Sequence, residues 1–251
     1  PLRRQRQMCI RDRFIGCVEA FSHGLSFRWI VAGVVLLAGI GTVFVRRQLR
    51  QPYPMLPFDL LRIPVFSLSV LTSILSFTSQ MLGMVALPFM FHLTFGMNAA
   101  ETGLLMTAWP LVIVVAGPLA GTLATKIHPG LLGGVGLLLM SVGCFLLADV
   151  SPSVGYGGLV ARLMLCGFGF GLFQSPNNHL LLSSAPSYRT GGASGMQATA
   201  RLVGQTTGAA LVALLFYLNG DRAPHAAMWL AGGFTLCGSL VSCSRLRAHR
   251  F

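Results

Sequence analysis

The stretch that decides the fold is Pro64–Ala100, which reads PVFSLSVLTSILSFTSQMLGMVALPFMFHLTFGMNAA and contains no Asp, Glu, Lys or Arg. An α-helix needs about 20 apolar residues to cross the hydrocarbon core of a bilayer. The stretch is long enough for one crossing, which we place near 66–91. Because lipid offers the backbone no hydrogen-bond partner, the crossing is predicted to be helical.

Six further runs of the same character predict six further crossings. They are Trp29–Val45, Thr102–Thr125, Ile127–Ala148, Tyr156–Ser184, Gly192–Leu218 and Ala226–Ser244, of which the fourth is interrupted by Arg162 and the fifth by Arg201. The sequence therefore predicts an all-α polytopic membrane protein with seven transmembrane helices.

The composition agrees with this prediction. Apolar residues make up 54% of the 251 residues and charged residues only 10%, whereas a soluble domain carries about 25% charged residues. A soluble enzyme, a disordered chain and a secreted disulfide scaffold are thereby excluded. The six Cys form no CxxC pair, so we interpret them as small apolar packing residues and expect no metal site.

The basic residues predict the orientation of the chain. Nine of them fall in the loops after the first, third and fifth spans and in the carboxyl tail, against Arg28 and Arg222 on the opposite side. The nine are Arg46, Arg47, Arg50, Arg62, Lys126, Arg189, Arg245, Arg247 and Arg250. This asymmetry predicts a cytoplasmic carboxyl terminus. The net charge of +12 is thus interpreted as topological, with no nucleic acid as partner.

The amino end differs from the rest of the chain. Residues 1–13 hold five Arg and no apolar stripe, and we interpret them as a non-native, adapter-derived segment; a genuine basic cytoplasmic arm is the alternative. Residues 14–28 are interpreted as the tail of a truncated helix and an outside loop. Because seven spans with an outside start suit a truncated even-span protein, we expect the chain to be a fragment.

The remaining organisation follows from the spans. Residues 29–45 form one extra transmembrane helix, and residues 46–62 form a basic, Pro-rich cytoplasmic loop. Residues 63–246 form a six-span unit, which is the half-module of many secondary transporters. Residues 247–251 are the cytoplasmic tail.

Several motifs carry a resemblance to a known family. They are LPFDL at 56–60, GPLAGTLA at 117–124, GFGFGLFQSPNN at 167–178, GASGM at 192–196 and ARLVGQTTG at 200–208. Together they resemble the carboxyl half of a major facilitator superfamily transporter of the fourteen-span drug–proton antiporter subgroup. The stretch 169–179 is most similar to the branch that exports methyl viologen and quaternary ammonium biocides.

The resemblance implies a function, and the sequence departs from the family pattern in one loop. It implies that residues 63–246 are the last six helices of an antiporter whose amino half is missing, in a bacterial inner membrane. The loop motif of the family, GxLADRxGRK, has its echo at Gly121–Ile127, where Thr125 replaces the acidic residue. No gating role is assigned to this loop, and Lys126 is interpreted as a topology anchor.

Polar residues within the spans are the candidates for a substrate cavity, since amides in hydrocarbon are costly without partners. The candidates are Gln80, Gln174, Asn177, Asn178, Arg201 and Gln205, with Phe77 and Met81 as aromatic and thioether contacts for a lipophilic cation. Lining of a cavity and hydrogen bonding between helices remain alternatives for the amides and for Arg201, and lipid-facing surface remains one for the aromatic face.

Small residues and prolines are the candidates for helix packing and hinges. They are Gly117, Pro118, Gly121, Gly167, Gly171, Pro176, Gly204 and Gly208. Arg162 lies about one and a half turns into its span and is interpreted as a structural charge that reaches the outer interface.

One absence also matters for function. All six Asp and Glu fall outside the seven runs, whereas a proton-coupled exporter of cations needs a buried acid. We therefore expect the missing amino half to supply it. The expected partners are that half, the bilayer, protons and lipophilic cations.

The expected function is drug or biocide efflux by proton antiport, without cofactor or catalysis, since neither GxxxxGK[ST] nor HExxH occurs. A carrier or exporter of a metabolite and a non-transporting membrane scaffold subunit are the alternatives.

Overall fold

The fold is described from a computed structural model of the chain, which describes residues 58–248 together with Gly39. The chain divides into two units, Pro1–Pro54 and Met55–Phe251, and every helix below belongs to the second. The α-helices are α1 (Pro64–Phe95), α2 (Ala99–Met106), α3 (Ala108–Leu123), α4 (Pro129–Ala148), α5 (Tyr156–Ser183), α6 (Thr190–Asn219) and α7 (Ala223–Ala248). Short 3-10 turns span Phe58–Arg62, Ser187–Arg189 and Gly220–Arg222.

Local chemistry sets both ends of α1. Pro64 occupies the start of the helix, where its fixed φ fits and its missing N–H is not needed. The helix ends at Gly96, whose φ of 64° is a left-handed conformation that glycine adopts without a Cβ clash. The N–H of Gly96 donates to the carbonyl of His92 at 3.1 Å, which satisfies one of the last carbonyls.

The second crossing consists of two helices. Asn98 and Glu101 form a capping box at the start of α2, in which each side chain accepts from the other residue's backbone N–H at 2.9 and 3.0 Å. The crossing is interrupted at Thr107, whose Oγ1 donates to the carbonyl of Leu104 at 2.6 Å. Together α2 and α3 make one span, Ala99–Leu123.

Five segments of the described part are long and apolar enough to cross a membrane, and the last of them, Ser187–Arg245, has 59 residues. A straight helix of that length would extend roughly 90 Å, three times the hydrocarbon thickness. The segment instead folds back at Gly220, where φ is 52° and ψ is −124°, so that α6 and α7 each cross once. The described part of the chain therefore makes six crossings.

The helices pack side by side in a row. The main neighbours are α3 with α5, α5 with α4, α4 with α7, α7 with α1, and α1 with α6. The core is filled by large buried side chains, among them Trp109, Phe170 and Phe173. The outermost helix α3 exposes Leu111, Val114, Val115 and Leu119.

Small residues allow α4 to approach its neighbours. A Cβ on Gly136 would lie 2.6 Å from the carbonyl oxygen of Gly169, so α4 and α5 touch backbone to backbone. On the other side of α4, the hydroxyl of Ser242 donates to the carbonyl of Gly130 at 2.8 Å. Interfaces of small residues with such hydrogen bonds are typical of helices packed in lipid.

The predicted all-α membrane fold is confirmed. Each of the six uncharged runs after position 63 coincides with a crossing, and the interruption at Thr107 was not predicted. The predicted segments 1–13, 14–28, 29–45 apart from Gly39, most of the loop 46–62 and most of the tail 247–251 lie outside the described residues.

Candidate functional site

A polar groove of about 440 Å³ lies between α1, α5 and α6. It is lined by Phe77, Gln174, Asn178, Ser194, Gln197, Ala198, Arg201, Leu202 and Gln205. Five of the eight residues predicted for a substrate cavity meet here: Phe77, Gln174, Asn178, Arg201 and Gln205.

Helix α5 contributes two amides to the groove. Gln174 and Asn178 are four residues apart, so they share one face of the helix, and both are half-buried. The same two residues border a second cavity of about 270 Å³ between α3 and α5, which Gly117, Gly171 and Ser175 also line. The amides of α5 therefore separate the two cavities.

Helix α6 contributes a polar stripe. Ser194, Gln197, Arg201 and Gln205 follow one another at three- or four-residue spacing and all line the groove. Arg201 is exposed, and its guanidinium carbon lies 5.8 Å from the centre of the Phe77 ring, within the range of a cation–π contact. The groove therefore contains a fixed positive charge stacked on its aromatic residue.

This stack bears on the role predicted for Phe77, which stays a prediction. Its ring is only 6% exposed and packs edge-on against Phe170, with ring centres 5.5 Å apart. Because Arg201 already covers the ring, Phe77 does not offer a free aromatic face to a substrate cation in this arrangement.

Asn177 does not line the groove, in contrast to the prediction. It is 2% exposed, its Nδ2 donates to Ser73 Oγ at 2.8 Å, and its Oδ1 accepts from Arg245 Nη1 at 2.8 Å. The reason is its position on α5, since each residue turns a helix by about 100°. Of the two interpretations kept for these amides, Asn177 follows the one of hydrogen bonding between helices.

Gln80 and Met81 also lie outside the groove lining. Both are half-buried on α1. A Cβ on Gly208 would lie 2.8 Å from the Cβ of Met81, so Met81 is a contact between α1 and α6.

The glycines predicted for packing fall into two groups. On α5, a Cβ added to Gly167 would meet the carbonyl oxygen of Trp109, and one added to Gly171 would lie 2.6 Å from the Cβ of Ala116. On α6, a Cβ added to Gly204 would lie 2.7 Å from the carbonyl oxygen of Ile74, and one added to Gly208 would lie 2.6 Å from that of Thr78. Gly117 has nothing within 4 Å, and Gly121 has only Ser175 Oγ at 3.8 Å. Four of the six glycines are thus required for close helix packing.

The prolines and Arg162 stay within continuous helices. Pro118 is exposed in α3 and Pro176 is buried in α5. Arg162 is half-buried, and its Nη1 is buried without a hydrogen-bond partner among the described residues. Because the side chain is only half-buried, the role of Arg162 as a charge that reaches the outer interface stays a prediction.

Arg245 is the polar residue that the sequence did not reveal. It was assigned to the basic side of the membrane as a topology signal, yet it is 1% exposed and bonded to Asn177 and Ser69. An arginine at the end of an apolar run is usually a solvated anchor, so its position in the sequence carries no signal of burial.

Neither a further cavity nor the distribution of potential metal-binding side chains favours a second site. A cavity of about 510 Å³ between the end of α1 and α2 is mostly apolar, with Phe89, Met97 and Met106 in its wall. Across residues 58–248, no group of three or more His, Cys, Asp or Glu could hold a metal ion.

The chain is similar to known transporters. The sequence profile of the Major Facilitator Superfamily matches residues 18–209 and residues 68–249. The uncharacterized transporter YebQ of Escherichia coli (strain K12) is 48% identical over 236 residues, which cover 94% of this chain and 52% of YebQ.

More distant relatives have assigned functions. The multidrug efflux pump LfrA of Mycolicibacterium smegmatis is 27% identical over 209 residues, or 80% of this chain and 40% of LfrA. The riboflavin transporter RibZ of Clostridioides difficile is 29% identical over 155 residues, or 60% of this chain and 33% of RibZ. The chain thus spans about half or less of the length of these relatives. Its all-helical fold and the profile match over most of its length show that it belongs to the Major Facilitator Superfamily.

Proposed function

We propose that the chain forms the carboxyl half of a proton-coupled exporter of lipophilic or quaternary cations, and that the groove is its half of the substrate site. The observation that carries the proposal is the polar groove itself, built into a bundle whose core is mostly apolar. An arginine facing hydrocarbon at the centre of a bilayer costs about 2.5–3.5 kcal/mol on insertion scales. Arg201 and the surrounding amides therefore favour a water-filled or protein-covered face.

The proton-coupling acid would come from the amino half. The described carboxylates are Asp59, Glu101, Asp149 and Asp221, all at helix ends or in turns. Glu101, for example, is used in the capping box of α2. A buried carboxylate can bind either a proton or a cation, so this half would supply hydrogen bonds and shape while the amino half supplies the exchangeable charge.

Arg201 would then act by electrostatic exclusion. Its guanidinium lowers the affinity of the groove for a cation near α6, because like charges in a partly desolvated site repel. A cationic substrate would be directed toward the acid of the amino half, and the amides of α5 would contact its uncharged part. The multidrug pump LfrA among the relatives supports this choice of substrate.

A second function is favoured by the same charge. A guanidinium surrounded by amides also suits a solute rich in carboxylate or carbonyl oxygens, and the relative RibZ is a riboflavin transporter. A metabolite carrier is therefore the second candidate.

The test uses a full-length transporter whose carboxyl half is this chain, in cells that lack other efflux pumps. We expect raised resistance to a quaternary ammonium biocide, abolished by a protonophore. Arg201→Ala should lower that resistance at least fourfold at equal expression, because the stack on Phe77 is lost and the cation is no longer directed toward the acid of the amino half. Arg222→Ala, an exposed arginine in the turn before α7, is the matched control and should change nothing.

Two outcomes would contradict the proposal. Full resistance in Arg201→Ala would show that the groove is not part of the path taken by the substrate. No resistance in the parent, combined with proton-dependent uptake or export of an anionic solute by membrane vesicles, would establish the second candidate.

A further inference from the structure

A guanidinium lies inside the bundle, beside the groove. Arg245 on α7 donates from Nη1 to Asn177 Oδ1 at 2.8 Å and to Ser69 Oγ at 3.3 Å. Asn177 in turn donates from Nδ2 to Ser73 Oγ at 2.8 Å. We call Arg245, Asn177, Ser69 and Ser73 the Arg245 cluster. It joins α7, α5 and α1 at one level of the bundle.

The two serines are prepared to accept these bonds. Ser69 Oγ donates to the carbonyl of Val65 at 2.7 Å, and Ser73 Oγ donates to the carbonyl of Ser69 at 2.9 Å. With their own protons used along α1, both hydroxyl oxygens present lone pairs toward α5 and α7. The cluster is thus an ordered network rather than a chance contact.

The cluster depends strongly on Asn177. In the described part of the chain, both acceptors of Arg245 are neutral oxygens, and its Nε and Nη2 are buried without a hydrogen-bond partner. Asn177 provides the shorter of the two bonds to the guanidinium. Removing one partner of a buried charge is more disruptive than removing a solvated one, so α5 is held firmly at Asn177.

Asn177 lies next to the groove-lining amides on α5. At about 100° per residue, it is turned about 60° from Gln174 and about 100° from Asn178 around the helix axis. Bonds from Asn177 toward α1 and α7 therefore fix the rotation of α5 at the level of the groove. Pro176, one residue earlier, cannot donate a backbone hydrogen bond to the carbonyl of Leu172, so α5 is weaker at this point and depends more on its bonds to other helices.

We propose that Arg245 and Asn177 are positioning residues of the groove: they hold Gln174 and Asn178 toward Arg201 and Gln205 without touching the substrate. The relevance to transport rests on the proposed function. The orientation itself can be measured without transport, so the two proposals can fail separately.

The test is a labelling rate. In the full-length transporter with its native cysteines replaced by alanine, a single cysteine is placed at Asn178 and its rate of reaction with a polar maleimide is measured. Arg245→Met should slow the reaction at least fivefold, because α5 turns away from the groove once Asn177 loses its partner. Ser141→Ala is the matched control: it removes a buried bond between α4 and α7, from Ser141 Oγ to the Gly232 carbonyl at 2.8 Å, and should leave the rate within twofold.

A second pair of variants distinguishes a loss of positioning from misfolding. Asn177→Asp loses the bond to Ser73 but keeps an acceptor for Arg245 and adds a negative charge beside the guanidinium, so the rate should stay within twofold of the parent. Asn177→Leu removes the acceptor and should slow labelling as Arg245→Met does. Unchanged rates in Arg245→Met or Asn177→Leu, or equal slowing in Ser141→Ala, would overturn the proposal.

The transport measurement separates positioning from general destabilisation. Arg245→Met should raise KM for a quaternary cation at least fivefold with kcat within twofold, and Asn177→Asp should restore KM in the parent range. A pure loss of kcat with unchanged KM would refute a positioning role. If the parent exports no cation but the labelling pattern holds, the proposed function fails and the positioning of α5 stands.

Discussion

The contact between Gly208 on α6 and helix α1 illustrates how a single residue determines the distance between two helices. An added Cβ would lie 2.6 Å from the Thr78 carbonyl oxygen and 2.8 Å from the Met81 Cβ, closer than real Cβ contacts allow. Gly208→Ala should therefore destabilise the protein by about 1–3 kcal/mol through overpacking, measured as detergent-induced unfolding. The displacement of α6 would also separate Arg201 from Phe77.

Gly117→Ala is the control for this prediction. Nothing lies within 4 Å of a Cβ at Gly117, and alanine favours a helix over glycine by up to about 1 kcal/mol. Its stability should be equal to or slightly above that of the parent. Equal losses in Gly117→Ala and Gly208→Ala would show that the contact on α1 is not limiting.

The residue scale also shows where prediction from the sequence ends. Gln174, Asn178, Arg201 and Gln205 were found because polar side chains in apolar runs need partners, and they do line one groove. Asn177 was assigned to the same groove, yet it turns toward Arg245. The rotation of a helix that is apolar on most sides is set by its neighbours, and this information is not in its own sequence.

At the scale of elements, the six described crossings were predictable because lipid requires long uncharged helices. The break at Thr107 was not predicted, although Pro110 lies three residues after it. Because Pro110 has no backbone N–H, it cannot donate to the carbonyl of Met106, and the helix is weakened at this point. The order of helix neighbours was also beyond the sequence, since it depends on which glycine faces meet.

An ion pair connects two of these elements. Arg189, in the turn before α6, donates from Nη2 to Asp59 Oδ1 at 2.7 Å in the turn before α1. Because Asp59 is 55% exposed, solvent screens the pair, and a double-mutant cycle with Asp59→Asn and Arg189→Gln should give a coupling of about 0.2–1 kcal/mol. Raising the salt concentration should reduce it.

The exposed pair of Glu101 and Lys126, which lie at opposite ends of the second crossing, serves as the control cycle and should show no coupling. A coupling between Asp59 and Arg189 well above 1 kcal/mol that persists at high salt would mean that the pair is sequestered from water.

At the scale of the whole molecule, long-range hydrogen bonds define two ends of the bundle. At one end, His225 Nδ1 donates to the Ala148 carbonyl at 2.8 Å and Tyr156 Oη donates to the Glu101 carbonyl at 3.2 Å. At the other end, Arg189 binds Asp59, and Ser242 binds the Gly130 carbonyl. Successive loops therefore alternate between the two ends, as a six-span topology requires.

Charge distinguishes the two ends and predicts the orientation. The end that holds the Asp59–Arg189 pair also carries Arg62 and Lys126, whereas the opposite end carries Arg222 with Glu101, Asp149 and Asp221. Short loops rich in Lys and Arg stay in the cytoplasm, so the carboxyl terminus should be inside and the turns at Gly96, Ser153 and Gly220 outside. Single cysteines at Ser153 and Asp221 should react with an impermeant maleimide in intact cells, because both positions are exposed.

Cysteines at Thr125 and Tyr188, exposed at the other end, should react only after the membrane is permeabilised. The reporters avoid Gly96 and Gly220, whose positive φ values would strain any cysteine placed there. Labelling of Tyr188→Cys in intact cells, with Ser153→Cys protected, would show that the molecule has the opposite orientation in the membrane. The basic end would then face outward, and Arg245 together with the positions after it could not be cytoplasmic.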